Sequence, residues 1–264
     1  MNFTGKVLED ASYSLSSTID IPIEPSTLPS RGFTYPNNIE ISYRPYILGE
    51  LYKISQIPKD TTTALNIRRV DIILSGIFVK GMSKEMLTLA DFNYLSVLRQ
   101  ISTLGDDSEL TLTWKCPKCG KTHNRTVNLT TQIEFKDLEV KLIEADINSQ
   151  TLTFTPLTVK GYKTKLALSD KYETDVSVMA LQVDTEEPFG NIYNFLYNLS
   201  DKEDIEAINE IDRHLYHDVN PVEAVCKTKE CGHTSLIPFK NIREYITSKS
   251  VSDGADKSKI RLIK

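Results

Sequence analysis

The stretch Trp114-Lys-Cys-Pro-Lys-Cys-Gly-Lys-Thr-His123 is echoed by Val225-Cys-Lys-Thr-Lys-Glu-Cys-Gly-His233, and together the two hold all four cysteines of the chain. Two residues separate Cys116 from Cys119, and four separate Cys226 from Cys231. Tetrahedral zinc accepts both spacings, and the glycine after each pair, Gly120 or Gly232, lets backbone amides turn toward thiolate sulfurs. We read the two turns as one four-cysteine zinc ribbon, with Cys116, Cys119, Cys226 and Cys231 as ligands, closed from two distant parts of the chain. Four thiolates leave no open position for water or substrate, so this zinc would be structural and would not activate a nucleophile. Free buried thiols, a redox pair, or iron in the same ligand set are the competing readings.

The flanking sequence places both turns on hairpins. Residues 109–114 alternate as a strand and enter the first turn, and 122–129 leave it with Val127 and Leu129 alternating again; 222–225 and 235–239 do the same for the second turn. Before them, 39–43 reads as a half-buried strand, and 45–57 and 61–79 read as helices. Thr88, with Asp91 three residues on, resembles a capping box for a third helix whose apolar stripe is Phe92, Leu95, Leu98 and Ile101, stopped by Gly105. Further strands are expected over 135–143 and 151–154. Helices are expected over 159–168, 174–182, 189–198, 200–216 (with Ser200 as N-cap) and 241–248. The fold class is therefore α+β: a helical body with β-hairpins forming the split zinc ribbon. Pro22, Pro25 and Pro29 make residues 1–30 an extended N-terminal arm, 31–249 the body with its ribbon from about 108–130 and 221–240, and 250–264 a C-terminal tail.

Composition narrows the function. With 264 residues, 40% hydrophobic and 25% charged, the chain has the balance of a globular protein. A net charge of -5 argues against a general phosphate-binding surface, so nucleic acid is not an expected partner, although Lys115, Lys118, Lys121 and Arg125 surround the first cysteine turn. No apolar run approaches the roughly 20 residues needed to cross a bilayer, and 1–25 lacks the basic start and apolar run of a signal peptide. The expectation is a protein made and kept in a reducing cytoplasm, which favours metal over disulfides.

No catalytic set emerges. GxGxxG after a strand, GxxxxGK[ST] and GxSxG are all absent, and we expect no enzyme. Asp91 reads as a helix N-terminal charge that complements the dipole and Arg31 as a turn residue paired locally, while 201–206 reads as a solvated helix start. His123 and His233 flank the cysteine turns and read as hydrogen-bond donors around the sulfurs rather than ligands. His214 and His217 lie three apart at a helix end without a companion ligand, where a cationic side chain suits the helix C-terminus.

Three pieces in this order resemble the T4-type phage baseplate hub family: the turn Leu28-Pro-Ser-Arg-Gly-Phe-Thr-Tyr35, the helix 87–105 with its Asp-Phe start and internal arginine, and Cys116-Pro-Lys-Cys-Gly120. The likeness covers mainly residues 28–129, with weaker likeness in 154–168 and the second cysteine turn. What the resemblance implies is a contractile-tail virion component of the central baseplate, assembled in the host cytoplasm and without catalytic activity. Its partners would be other baseplate and tail proteins, with copies of itself as a further option, and it would use neither nucleic acid nor membrane. Members of that family include both tail parts and assembly factors. A zinc-ribbon nucleic-acid-binding module is the alternative outside the family.

Overall fold

Pro22 removes one amide donor from its strand, which suits the edge of a sheet and not its centre. The computed structural model, which describes residues 20–58, 62–105, 109–129, 131–132, 134–137, 141–215 and 219–237, places it so. Strand β1 (Ile21–Ile23) is the edge of a three-stranded antiparallel sheet with β2 (Glu40–Tyr43) in the centre and β3 (Ile77–Lys80) on the far side. Between them lie α1 (Leu48–Ser55) and α2 (Thr63–Leu74), and α3 (Leu89–Leu104) follows. The chain continues through the hairpin β4 (Glu109–Lys115) with β5 (Thr122–Asn128), then the hairpin β6 (Ile143–Ile147) with β7 (Gln150–Phe154). Four helices come next: α4 (Val159–Leu168), α5 (Thr174–Gln182), α6 (Phe189–Tyr197) and α7 (Lys202–Leu215). The hairpin β8 (Val222–Val225) with β9 (Thr234–Ile237) closes the described chain. The architecture is mixed α+β with small antiparallel sheets.

Two compact units share the chain, and both are discontinuous. The larger joins Met1–Gly105 to Phe135–Asp218, and the smaller joins Asp106–Glu134 to Val219–Lys264. Both cysteine turns therefore belong to the smaller unit, whose two segments bring together cysteines as far as 115 residues apart in sequence.

In the larger unit, part of the stretch read as an arm is woven into the body: Ile21 pairs with Tyr43, and Leu28 and Ser30 are fully buried. The 28–35 turn docks on the start of α3. Asp91 accepts from the Ser30 N–H at 2.8 Å and from the Ser30 and Tyr35 hydroxyls, while the Thr88 N–H donates to Tyr35 Oη at 2.9 Å. Thr88 caps α3 as expected, its hydroxyl accepting from the Asp91 N–H, but Asp91 does not complete a local capping box because its carboxylate is spent on the distant turn. Burial pushes the Asp91 carboxyl up, against the hydrogen bonds from Ser30 and Tyr35 that favour its charge. Arg31 sits at φ 51 and pairs with Asp137.

A second buried centre ties α1, α2 and α3. Arg99 is fully buried; it donates to the backbone carbonyls of Arg44 and Ile73, reaches Glu50 at 2.7 Å, and lies 3.9 Å over the Tyr46 ring. Glu50 is also held by Arg44, by the Ser75 hydroxyl and by the Ile47 N–H. Burial opposes the Glu50 charge, but these donors outweigh it and draw its carboxyl down to about 2. The helix expected to run to residue 79 instead ends at Leu74, where Arg99 takes the Ile73 carbonyl and Lys84 the Leu74 carbonyl; Gly76 leaves the room the guanidinium fills, since a Cβ there would sit 2.2 Å from it. The chain turns there, and Ile77, Phe78 and Val79 pair with β2.

The rest of the larger unit is a helical layer around Phe154, Met179, Val183, Ile192, Leu196, Ile211 and Leu215. Lys163 joins α4 to Asp71 of α2 and to Glu85 at 2.8 and 2.7 Å. Of the strand expected over 135–143, residues 138–140 lie outside the described residues; the described strand starts at Ile143 and pairs with β7 through a turn in which Asn148 and Ser149 take positive φ. Helix α7 starts one residue later than its expected cap allowed: Asp201, not Ser200, accepts from the Glu203 and Asp204 amides. No helix among the described residues is long and apolar enough to cross a membrane. The expected helix over 241–248, the tail from 250, most of the arm (1–19) and His217 lie outside the described residues.

Candidate metal centre

Each cysteine pair begins immediately after a strand. Cys116 follows β4, Cys226 follows β8, and the return strands β5 and β9 start two residues beyond Gly120 and Gly232. Matching backbone bonds close the turns: the Cys116 N–H donates to Lys121 O and the Cys226 N–H to His233 O, both at 2.9 Å. Gly120 and Gly232 take φ of 71 and 51, which a side chain would resist. The second turn carries two more residues than the first, and it fits them by placing Glu230 at φ 70, with the Cys231 N–H bonded to Thr228 O.

The four sulfurs converge. All lie within 4.8 Å of one another, with Cys116 to Cys231 at 3.8 Å and Cys119 to Cys226 at 3.6 Å. A tetrahedral ion at about 2.3 Å from each sulfur sets neighbouring sulfurs about 3.8 Å apart. A disulfide needs about 2.05 Å, and all four cysteines are free. The donor set and its spacing thus fit a four-coordinate thiophilic ion, zinc foremost.

Backbone amides point at the sulfurs as a thiolate cluster requires. The Lys121 N–H draws the Cys119 thiol down to about 6, with Cys226 and Thr228 assisting. The Thr228 hydroxyl, then the Thr228 N–H, lowers Cys226. At Cys231 the His233 N–H favours the thiolate, but burial and the sulfurs of Cys226, Cys116 and Cys119 outweigh it and push the thiol up to about 11. Crowded like charges split the set, holding one thiol low and another high. A bound metal deprotonates all of its thiols outright.

The two histidines expected beside the turns separate in role. His123 stands opposite Trp114 in the β4–β5 register, its ring 5.3 Å from the indole, and its Nε2 lies 3.1 Å from Cys226 Sγ. His233 serves through its backbone. His214 belongs to the larger unit and pairs with Glu210 inside α7 at 3.2 Å. Thr228 is the residue that sequence reading missed: it makes four contacts in the centre, two to Cys226 and one each to Cys119 and Cys231, and its only signal was its place two residues after Cys226.

The comparison with protein families matches residues 23–246 to the family described as T4 bacteriophage base plate protein. The chain belongs to that family. The match begins within the described part of the expected arm and runs past the second cysteine turn, so it takes in segments of both units. The family points to a place among phage baseplate proteins and to contacts with other phage tail proteins. Neither the curated proteins nor the solved structures offer a match to the chain.

Proposed function

We propose that this baseplate protein is a structural component of the central hub region of a contractile phage tail, acting through protein–protein contacts and not as an enzyme, with one structural zinc held by Cys116, Cys119, Cys226 and Cys231. The family match over 23–246 carries the structural role. The hub position rests on the resemblance of the 28–35 turn, the α3 helix and the first cysteine turn. A coordinatively closed thiolate set supports a structural metal rather than a catalytic one. Helix α1 supplies surface suited to partners: its buried side holds Glu50 and Ile54, while Leu48 and Tyr52 are 82% and 64% exposed. Assembly takes place in the host cytoplasm, where thiols stay reduced and free to take metal.

Nucleic-acid binding is the weaker reading. Lys115, Lys118 and Lys121 border the first turn, but Trp114 is buried against His123 and offers no face for a base. An assembly factor that leaves before the virion matures has the same family membership and is separated by one experiment. Purified mature virions and isolated baseplates are probed for this chain by mass spectrometry. Its retention in both supports the tail-part reading, and its presence in assembly intermediates alone assigns it to assembly.

A further inference from the structure

The cysteine centre has a polar neighbour on a side chain that no backbone rule requires. Cys226 is 4% exposed, and its sulfur already receives the Thr228 N–H and the Thr228 hydroxyl. His123 comes from the other hairpin and places Nε2 at 3.1 Å from the same sulfur. Its position is built: the β4–β5 register sets His123 across from Trp114, and the indole packs at 5.3 Å and 40° to the imidazole. Sulfur bound to a metal is a thiolate and can only accept, so the nitrogen facing it must carry the proton. Four thiolates around a divalent ion leave a net charge of -2, and at a buried sulfur each donor spreads part of that charge into the protein.

Resting on the zinc reading above, we propose that His123 is a working part of the metal centre, a positioning residue whose Nε2–H donates to the Cys226 thiolate and slows loss of the ion. It is not a ligand, since its nitrogen faces one sulfur and the four cysteines fill the shell. It also links the hairpins, because it leaves β5 to meet a sulfur that follows β8. His233 makes no such contact through its ring among the described residues, so the two histidines should behave differently.

The test uses the full chain loaded with zinc or with cobalt(II) as a spectroscopic probe. His123→Phe keeps an aromatic ring against Trp114 and removes the donor, and His214→Phe, on α7 of the larger unit, is the control. We expect His123→Phe to bind zinc at least about tenfold more weakly in chelator competition. We also expect its sulfur-to-cobalt absorption band to shift, with His214→Phe matching the parent in both. In the zinc-loaded parent, nitrogen-15 NMR should show the His123 proton on Nε2. Equal zinc affinity and an unchanged cobalt spectrum in His123→Phe would overturn the inference while leaving the zinc site standing. A His123 proton found only on Nδ1 would overturn it too, and that reading decides the matter if the variant does not fold. A parent chain that takes up neither zinc nor cobalt removes the metal centre and this inference together.

Discussion

The Glu50–Arg99 centre of the larger unit and the cysteine centre of the smaller unit do the same mechanical job with different chemistry. Glu50 and Arg99 stand 49 residues apart, and Cys116 and Cys231 stand 115 apart. The larger unit has an apolar core to surround its charges: Leu28, Ile73, Ile77, Leu87, Phe92 and Leu95 are at most 2% exposed. Such a core can hold a buried ion pair whose donors and acceptors are all engaged. In the smaller unit the buried apolar side chains described are few, chiefly Leu112, Trp114, Val127, Leu129, Val222 and Ile237, on two isolated hairpins. Two-stranded hairpins are marginal alone, and small units with little core generally need a covalent or metal staple. Among the described residues, the cysteine cluster stands in the unit with the fewer buried apolar side chains, and a metal held there would substitute for packing.

That contrast can be broken in order of expected effect. Cys226→Ser should abolish metal binding and unfold the smaller unit, since structural zinc supplies about 10–16 kcal/mol of folding energy in finger peptides. Hydrogen exchange would show the amides of β4, β5, β8 and β9 losing protection while those of α3 keep theirs. Glu50→Gln should destabilise the larger unit by about 3–5 kcal/mol, because it strands the buried Arg99 charge. Denaturant unfolding followed through the larger unit checks it, and metal content should not change.

Acid should act on the larger unit through the same residue. The Glu50 carboxyl is lowered from 4.5 to about 2 in the folded protein, so the unfolded chain binds this proton first as pH falls. The stabilisation is fully present above pH 4.5 and is lost between there and pH 2, amounting to about 3 kcal/mol. Glu50→Gln should flatten that part of the stability profile, and an unchanged profile would show that Glu50 is not the responsible group. The smallest effect is expected at the 28–35 turn. Ser30→Ala removes one donor to the buried Asp91 carboxylate and should cost about 1–2 kcal/mol in denaturant unfolding.

The cysteine centre was legible because its chemistry is local: ligand spacing, glycine after each pair and a strand on either side are all written within ten residues. The strand Ile77–Lys80 was not. Ile73, Leu74 and Ile77 fall at helical spacing, and nothing near them announces that Arg99, on α3, takes the Ile73 carbonyl and fills the space beside Gly76. Arg99 itself was visible only as an arginine inside the helix, since its partner carboxylate is on α1 and its carbonyl acceptors follow β2 and lie near the end of α2. Asp91 was recognised as a helix-start carboxylate, yet its true partners, Ser30 and Tyr35, sit some sixty residues earlier. The 28–35 turn and the Asp-Phe helix start, which together carried the family resemblance, meet at this carboxylate. Neither segment reveals that by itself. Asp201 displaced Ser200 as the cap of α7 because both are good caps and only the backbone path chooses between them.

The most direct test of metal as the substitute for core is thermal unfolding of the full chain, with its zinc content measured beforehand and a strong chelator then added. The account predicts about one zinc per chain. It also predicts that the chelator removes the protection of the β4–β5 and β8–β9 hairpins while the unfolding of the larger unit stays where it was. A chain that carries no zinc, or whose hairpins keep their protection and melting temperature after the ion is stripped, would contradict it.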